Sequence, residues 1–139
     1  MPLLEQVLER YPRQVKVVFK NYPLRKHKYA RSAALAALAA GEQGKFWEFH
    51  DQLFRKYRQL NDQTIDQIAK QLALDEPRFQ RDRASPTLAQ QVQADMDEAR
   101  RVGVRGTPTV FVNGRLVKDR SVDGISALVE AELRKSEGN

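Results

Sequence analysis

The sequence contains no cysteine. That absence removes disulfide staples, thiolate nucleophiles and cysteine-ligated metal sites from this chain. It does not by itself identify a compartment. Histidine is nearly as scarce, with only two in the chain. A zinc site would need further ligands beyond His27 and His50, and neither has the neighbours of a catalytic triad. No glycine-rich phosphate loop is present. No apolar run approaches the ~18 residues that a membrane-spanning helix requires. The opening "MPLLEQVLER" has no basic region followed by an apolar one, so no signal peptide is expected in this sequence. Localisation is left open: cytoplasmic as written, exported if the true start lies upstream.

What is present describes a globular chain. Its 139 residues suit one domain, with room for an inserted subdomain, and 41% hydrophobic content supports a real core. Charged residues make up 30%, and the formal net charge is +6. The basic residues are spread along the chain, with small clusters at "RKHK" (25–28) and "RRVGVR" (100–105). This pattern suits a solvated surface with weak attraction for acidic partners. No zinc-finger spacing, aromatic RNA-binding strand or helix-turn-helix is visible, so nucleic acid is not an expected partner.

Hydrophobic periodicity sets the order of elements. "PLLEQVLERY" puts Leu3, Leu4, Val7, Leu8 and Tyr11 on one helical face, with Pro2 suited to the first turn. Val15, Val17, Val18 and Phe19 predict a short buried strand. A helical block follows: the alanine-rich "ARSAALAALAAG", then "KFWEFHDQLFRKY", "NDQTIDQIAKQLAL", a short helix around Phe79, and "SPTLAQQVQADMDEARRVG". In the second of these, Phe46, Phe49, His50, Leu53, Phe54 and Tyr57 predict a packing stripe, and the carboxylates, Asp95 included, read as surface groups. Strands are predicted at about 108–113 and 115–118, joined through Asn113-Gly114, a strong two-residue hairpin signal. "SVDGISALVEAELRK" closes the chain as an amphipathic helix.

Thr107-Pro108 is the most informative pair. Proline has no N–H and so belongs at a strand's first residue or edge. The bond could be an ordinary trans entry into the strand. The alternative is a cis bond, which would leave the preceding residue's backbone free to pair with an extended peptide.

The segments "VKVVFKNYPL", "HKYARSAALAALAAGEQGKFWEFHDQLF" and "ARRVGVRGTPTVFVNGRLV" resemble, in order, the DsbA-like branch of the thioredoxin superfamily. The resemblance implies an α/β thioredoxin-like fold, with residues 1–23 and 104–139 as the core and 24–103 as a helical insertion. It implies that Gly106, Thr107 and Pro108 form the cis-proline loop that holds a substrate peptide. It also implies a Cys-x-x-C motif at the start of the first helix, after a central strand. This chain begins inside that helix. The strand and both cysteines would therefore lie upstream of Met1, and no catalytic residue is expected within the chain. Removing a central strand would leave its two neighbours unpaired: they could close up on each other, pair with a second copy, or leave the fold only marginally stable, and association between copies is the favoured expectation.

Two function classes follow. One is a DsbA-like thiol:disulfide oxidoreductase domain that is redox-inactive as given. The alternative is a non-enzymatic module that binds peptides or partners through the proline loop or an open sheet edge. Extended peptides or protein substrates are the expected partners in both, and no cofactor or metal is implied.

Overall fold

The computed structural model describes residues 2–138. The chain divides into two compact units, Lys20–Arg105 and the combination of Met1–Phe19 with Gly106–Asn139. The first is helical. The second holds the only β-ladder among the described residues.

The helical unit is organised on α2 (Ala30–Gly41). Ala33, Ala36, Ala37, Ala39 and Ala40 are all buried, and their small side chains let neighbouring helices approach closely. Against α2 pack α3 (Phe46–Arg55), α4 (Asp62–Gln71), α5 (Glu76–Arg83) and α6 (Pro86–Arg101). Phe49, Phe79, Ile65 and Ile68 fill the centre, and the Phe49 and Phe79 rings lie 5.6 Å apart in a tilted arrangement. Three of these helices start on side-chain caps that satisfy otherwise orphaned amides. Asn61 accepts from the Thr64 N–H at 2.8 Å, Asp75 from Arg78 at 3.1 Å, and Ser85 from Thr87 at 3.2 Å. Arg83 ties three helices together, meeting Asp66 of α4 at 3.0 Å and Ser32 of α2 at 3.2 Å from its own place on α5.

Two expectations for this unit are corrected. Asp95 is not a surface carboxylate: it is buried on α6 and accepts from the Asn21 backbone N–H at 2.9 Å and the Asn21 side-chain amide at 2.8 Å. A buried carboxylate needs such donors, and these draw residues 20–21 into the helical unit. The predicted stripe on α3 is also narrower than its spacing suggests. Phe49, His50 and Leu53 are buried, but Phe54 and Tyr57 are exposed. The helix ends at Arg55 and passes into a 3₁₀ turn, Tyr57–Gln59, so the periodicity no longer applies to Tyr57.

The second unit packs α1 (Pro2–Arg10) against α7 (Val122–Glu137). Val7 and Tyr11 meet Ile125 and Val129, and Val117 closes the cluster. Polar contacts fix the pair: the Tyr11 hydroxyl donates to Glu130 at 2.7 Å, and Arg10 donates to Ser126 at 3.1 Å. The hairpin joins β1 (Phe111–Val112) to β2 (Arg115–Leu116), with Phe111 opposite Leu116 and Val112 opposite Arg115. Asn113 and Gly114 both have positive φ, 47° and 80°, which suits the strong twist of a two-residue hairpin.

The expected strands are largely overturned here. Residues 15–20 form no strand, and the two hairpin strands shrink from the predicted 108–113 and 115–118 to two residues each. Apolar residues alone do not make a strand, because its N–H and C=O groups need a ladder partner. Helices α1–α7 close their hydrogen bonds internally and form where predicted.

Candidate functional site

Within the second unit the chain enters the hairpin through Gly106, Thr107 and Pro108. Gly106 is half-buried, while Thr107 and Pro108 are exposed. The Thr107–Pro108 peptide bond is cis. The loop is held from both ends. The Thr109 hydroxyl donates back to the Gly106 carbonyl at 2.6 Å, and the Arg120 guanidinium donates to the Pro108 carbonyl. Beyond them the ladder continues, with the Val117 N–H donating to the Val110 carbonyl at 2.9 Å. The backbone N–H and carbonyl of Thr107 make no hydrogen bond among the described residues. They lie at an exposed edge where an extended chain could use them.

Arg120 was invisible to sequence reasoning, since nothing local connects it to a loop twelve residues away. Its position depends on the turn before α7. Asp119 accepts from the Ser121 N–H at 3.0 Å, and its hydrogen bonds to Ser121 hold its carboxyl below the usual carboxylate range. Ser121 in turn accepts from the Gly124 N–H at 3.0 Å as the cap of α7. Gly124 is needed for this close approach: a Cβ there would sit 2.2 Å from the Asp119 carbonyl oxygen.

The other sequence candidates, His27 and His50, belong to the helical unit. His50 is buried in the helical unit among Phe46, Trp47 and Phe54, with ring centroids 5.9, 5.4 and 4.6 Å away. Its Nδ1 lies 3.2 Å from the Asp51 carboxylate. Burial pushes the imidazole pKa below its ordinary value, and the hydrogen bond and charge of Asp51 oppose that shift. His27 is exposed in the turn before α2. Among the described residues no group of three or more metal-ligating side chains is arranged to hold an ion. No helix among them is long and apolar enough to cross a membrane. With no cysteine in the chain, these 139 residues carry no thiol chemistry of their own.

Comparison with known proteins places this arrangement. The pattern of a family described as thioredoxin matches residues 2–131. The probable disulfide bond formation protein D of Bacillus anthracis is 28% identical over 130 residues, which cover 88% of this chain and 59% of that protein. Its Bacillus subtilis counterpart is 29% identical, over 76% of this chain and 53% of that one. A protein of Salinispora tropica, Na(+)/H(+) antiporter NhaA 3, is 38% identical over 99% of this chain, which spans only 22% of that protein. The crystal structure of a thioredoxin-like oxidoreductase from Silicibacter pomeroyi superposes with a TM-score of 0.82 at 27% identity. That match covers 97% of this chain and 77% of the other. The curated relatives thus extend well beyond the matched region. The helix-rich fold with its small hairpin is thioredoxin-like, and this chain belongs to the thioredoxin family.

Proposed function

We propose that this chain is the substrate-holding part of a DsbA-like thiol:disulfide oxidoreductase, whose thiolates come from outside these 139 residues. The observation that carries the reading is the exposed Thr107 with its unused backbone N–H and carbonyl, at the mouth of the Pro108 loop. An extended peptide laid beside Gly106, Thr107 and Pro108 would pair with those groups as an added strand. In the exchange itself, a thiolate attacks one sulfur of the substrate disulfide. A new S–S bond forms, and the second sulfur leaves as a thiolate. This chain's part is to hold the peptide backbone while that happens. Residues 24–103 serve as the helical insertion in this reading.

The same reading accounts for exposed apolar side chains in the second unit. Val18, Phe111 and Leu116 are 63%, 38% and 54% exposed. Cross-strand partners Phe111 and Leu116 share the hairpin face opposite Val112, which packs on the core. In the longer protein this surface would be covered. In the isolated chain a second copy is the expected occupant.

Two measurements test the proposal. A cysteine-free extended peptide should bind the wild-type chain, and Pro108→Ala should weaken that binding, read by isothermal titration. Absence of binding at high micromolar peptide contradicts the substrate-holding role. The reading frame preceding Met1 should encode a Cys-x-x-C, and the protein extended to include it should catalyse the reduction of insulin by dithiothreitol. Peptide binding combined with an in-frame stop codon would instead favour the non-enzymatic binding module.

A further inference from the structure

The end of α3 and the 3₁₀ turn after it carry a second surface, within the helical unit. Phe54 and Tyr57 are 58% and 63% exposed, although Phe49 and Leu53 on the same helix are buried. Arg55, Lys56 and Arg58 stand among them, three cations within four residues. Elsewhere in the helical unit several cations meet carboxylates: Arg78 meets Asp82 at 3.5 Å, Arg100 meets Asp97 at 3.2 Å, and Lys20 meets Glu98 at 3.2 Å. Among the described residues none of the three cations at 55–58 forms an ion pair. Lys56 Nζ donates to the Gln71 side-chain carbonyl at 3.2 Å. Arg58 Nε donates to the Tyr57 hydroxyl at 3.0 Å, with its guanidinium 5.6 Å from that ring's centroid. The neighbouring acids are engaged elsewhere, Asp51 at the His50 ring and Asp62 by Ser32 and Arg83. The side chains of residues 55–59 line a shallow, open depression.

We propose that this turn is a docking surface for an anionic lipid bilayer. Two exposed rings flanked by uncompensated cations match the headgroup boundary. There the rings reach the acyl region and the cations meet lipid phosphates and carboxylates. Tyr57 has the apolar body and polar tip that favour this depth. A folded acidic protein fits less well, because the surface offers no deep pocket to anchor a partner side chain.

Cosedimentation of the full chain with phosphatidylcholine vesicles, with and without phosphatidylserine, tests the proposal. Binding should require phosphatidylserine and weaken with salt. Each cation near a charged surface contributes roughly fivefold, so Arg55→Gln with Arg58→Gln should weaken binding about 25-fold. The charge-matched pair Lys45→Gln with Arg78→Gln should bind within about twofold of wild type, since Lys45 precedes the opposite end of α3 and Arg78 donates to the Glu42 carbonyl near that end. Phe54→Ser with Tyr57→Ser keeps every charge and should still weaken binding by about tenfold or more, through loss of apolar insertion. Equal losses from the two charge pairs would reduce the effect to net charge and overturn the proposal. So would unchanged binding after removal of both rings. Tighter binding of poly-glutamate than of vesicles would assign the surface to a soluble acidic partner and overturn it too.

Discussion

The two units of this chain respond differently to the same requirement, that every buried backbone group find a partner. In Lys20–Arg105 the helices satisfy their hydrogen bonds internally, three caps close their first turns, and aromatic and branched side chains fill the centre. In the other unit a helix pair is well packed, but the sheet consists of two strands of two residues each. Residues 15–18 have strand-like composition but form no ladder among the described residues. A helical unit is self-sufficient because its pairing is local. A sheet is only as complete as the chain segments available to pair with it.

The largest test of this contrast removes the centre of the complete unit. Phe79→Ala empties a fully buried site beside Phe49, and such a truncation costs about 3–5 kcal/mol. Urea unfolding should show the loss, and amide exchange should quicken throughout α2, α3 and α5. A loss below about 1 kcal/mol would mean the helical core is looser than described.

Next in size is a change at the support of the candidate loop. Gly124→Ala drives a Cβ into the Asp119 carbonyl, and backbone overpacking of this kind costs about 1–3 kcal/mol. Faster exchange at the start of α7 and weaker peptide binding should appear together. A variant as stable as wild type would show that the turn before α7 can move freely.

A smaller effect is expected from pH. His50 has a depressed pKa through burial, so the unfolded chain binds its proton first as pH falls. This histidine's contribution to stability is complete above the ordinary value of 6.5 and declines as pH drops from there to the lower folded value. His50→Leu should flatten that slope in urea midpoints measured between about pH 7.5 and pH 5, the range of histidine titration. An unchanged slope would contradict the burial argument.

The smallest change in stability is expected on the open hairpin face. Leu116→Lys alters an exposed side chain and should shift stability by no more than about 0.5 kcal/mol. It should nevertheless abolish self-association in light scattering, since a charge on that face opposes a second copy. A wild-type chain that is monomeric at every concentration would remove the second copy as occupant.

The parts of the structure legible in the sequence are those with local causes. The 3.6-residue spacing of Ile65, Ile68 and Ala69 placed α4, and Asn113-Gly114 placed the hairpin turn. Pro108 drew attention to its loop because a residue without an N–H is unusual before a strand. The remaining features depend on distant partners. The burial of Asp95 depends on Asn21, 74 positions away. Arg120 reaches Pro108 only through the fold. The apolar run at 15–18 predicts a strand because composition records a tendency to pair and not whether a ladder forms. The exposure of Tyr57 follows from the end of α3 at Arg55, a boundary that periodicity alone does not locate.

Amide hydrogen exchange on the full chain, with and without a cysteine-free extended peptide, tests the central claim most directly. The account predicts that the Thr107 amide exchanges rapidly in the free chain, becomes protected when peptide binds, and loses that protection in Pro108→Ala. A Thr107 amide already protected in the free chain, or unchanged at saturating peptide, would contradict it.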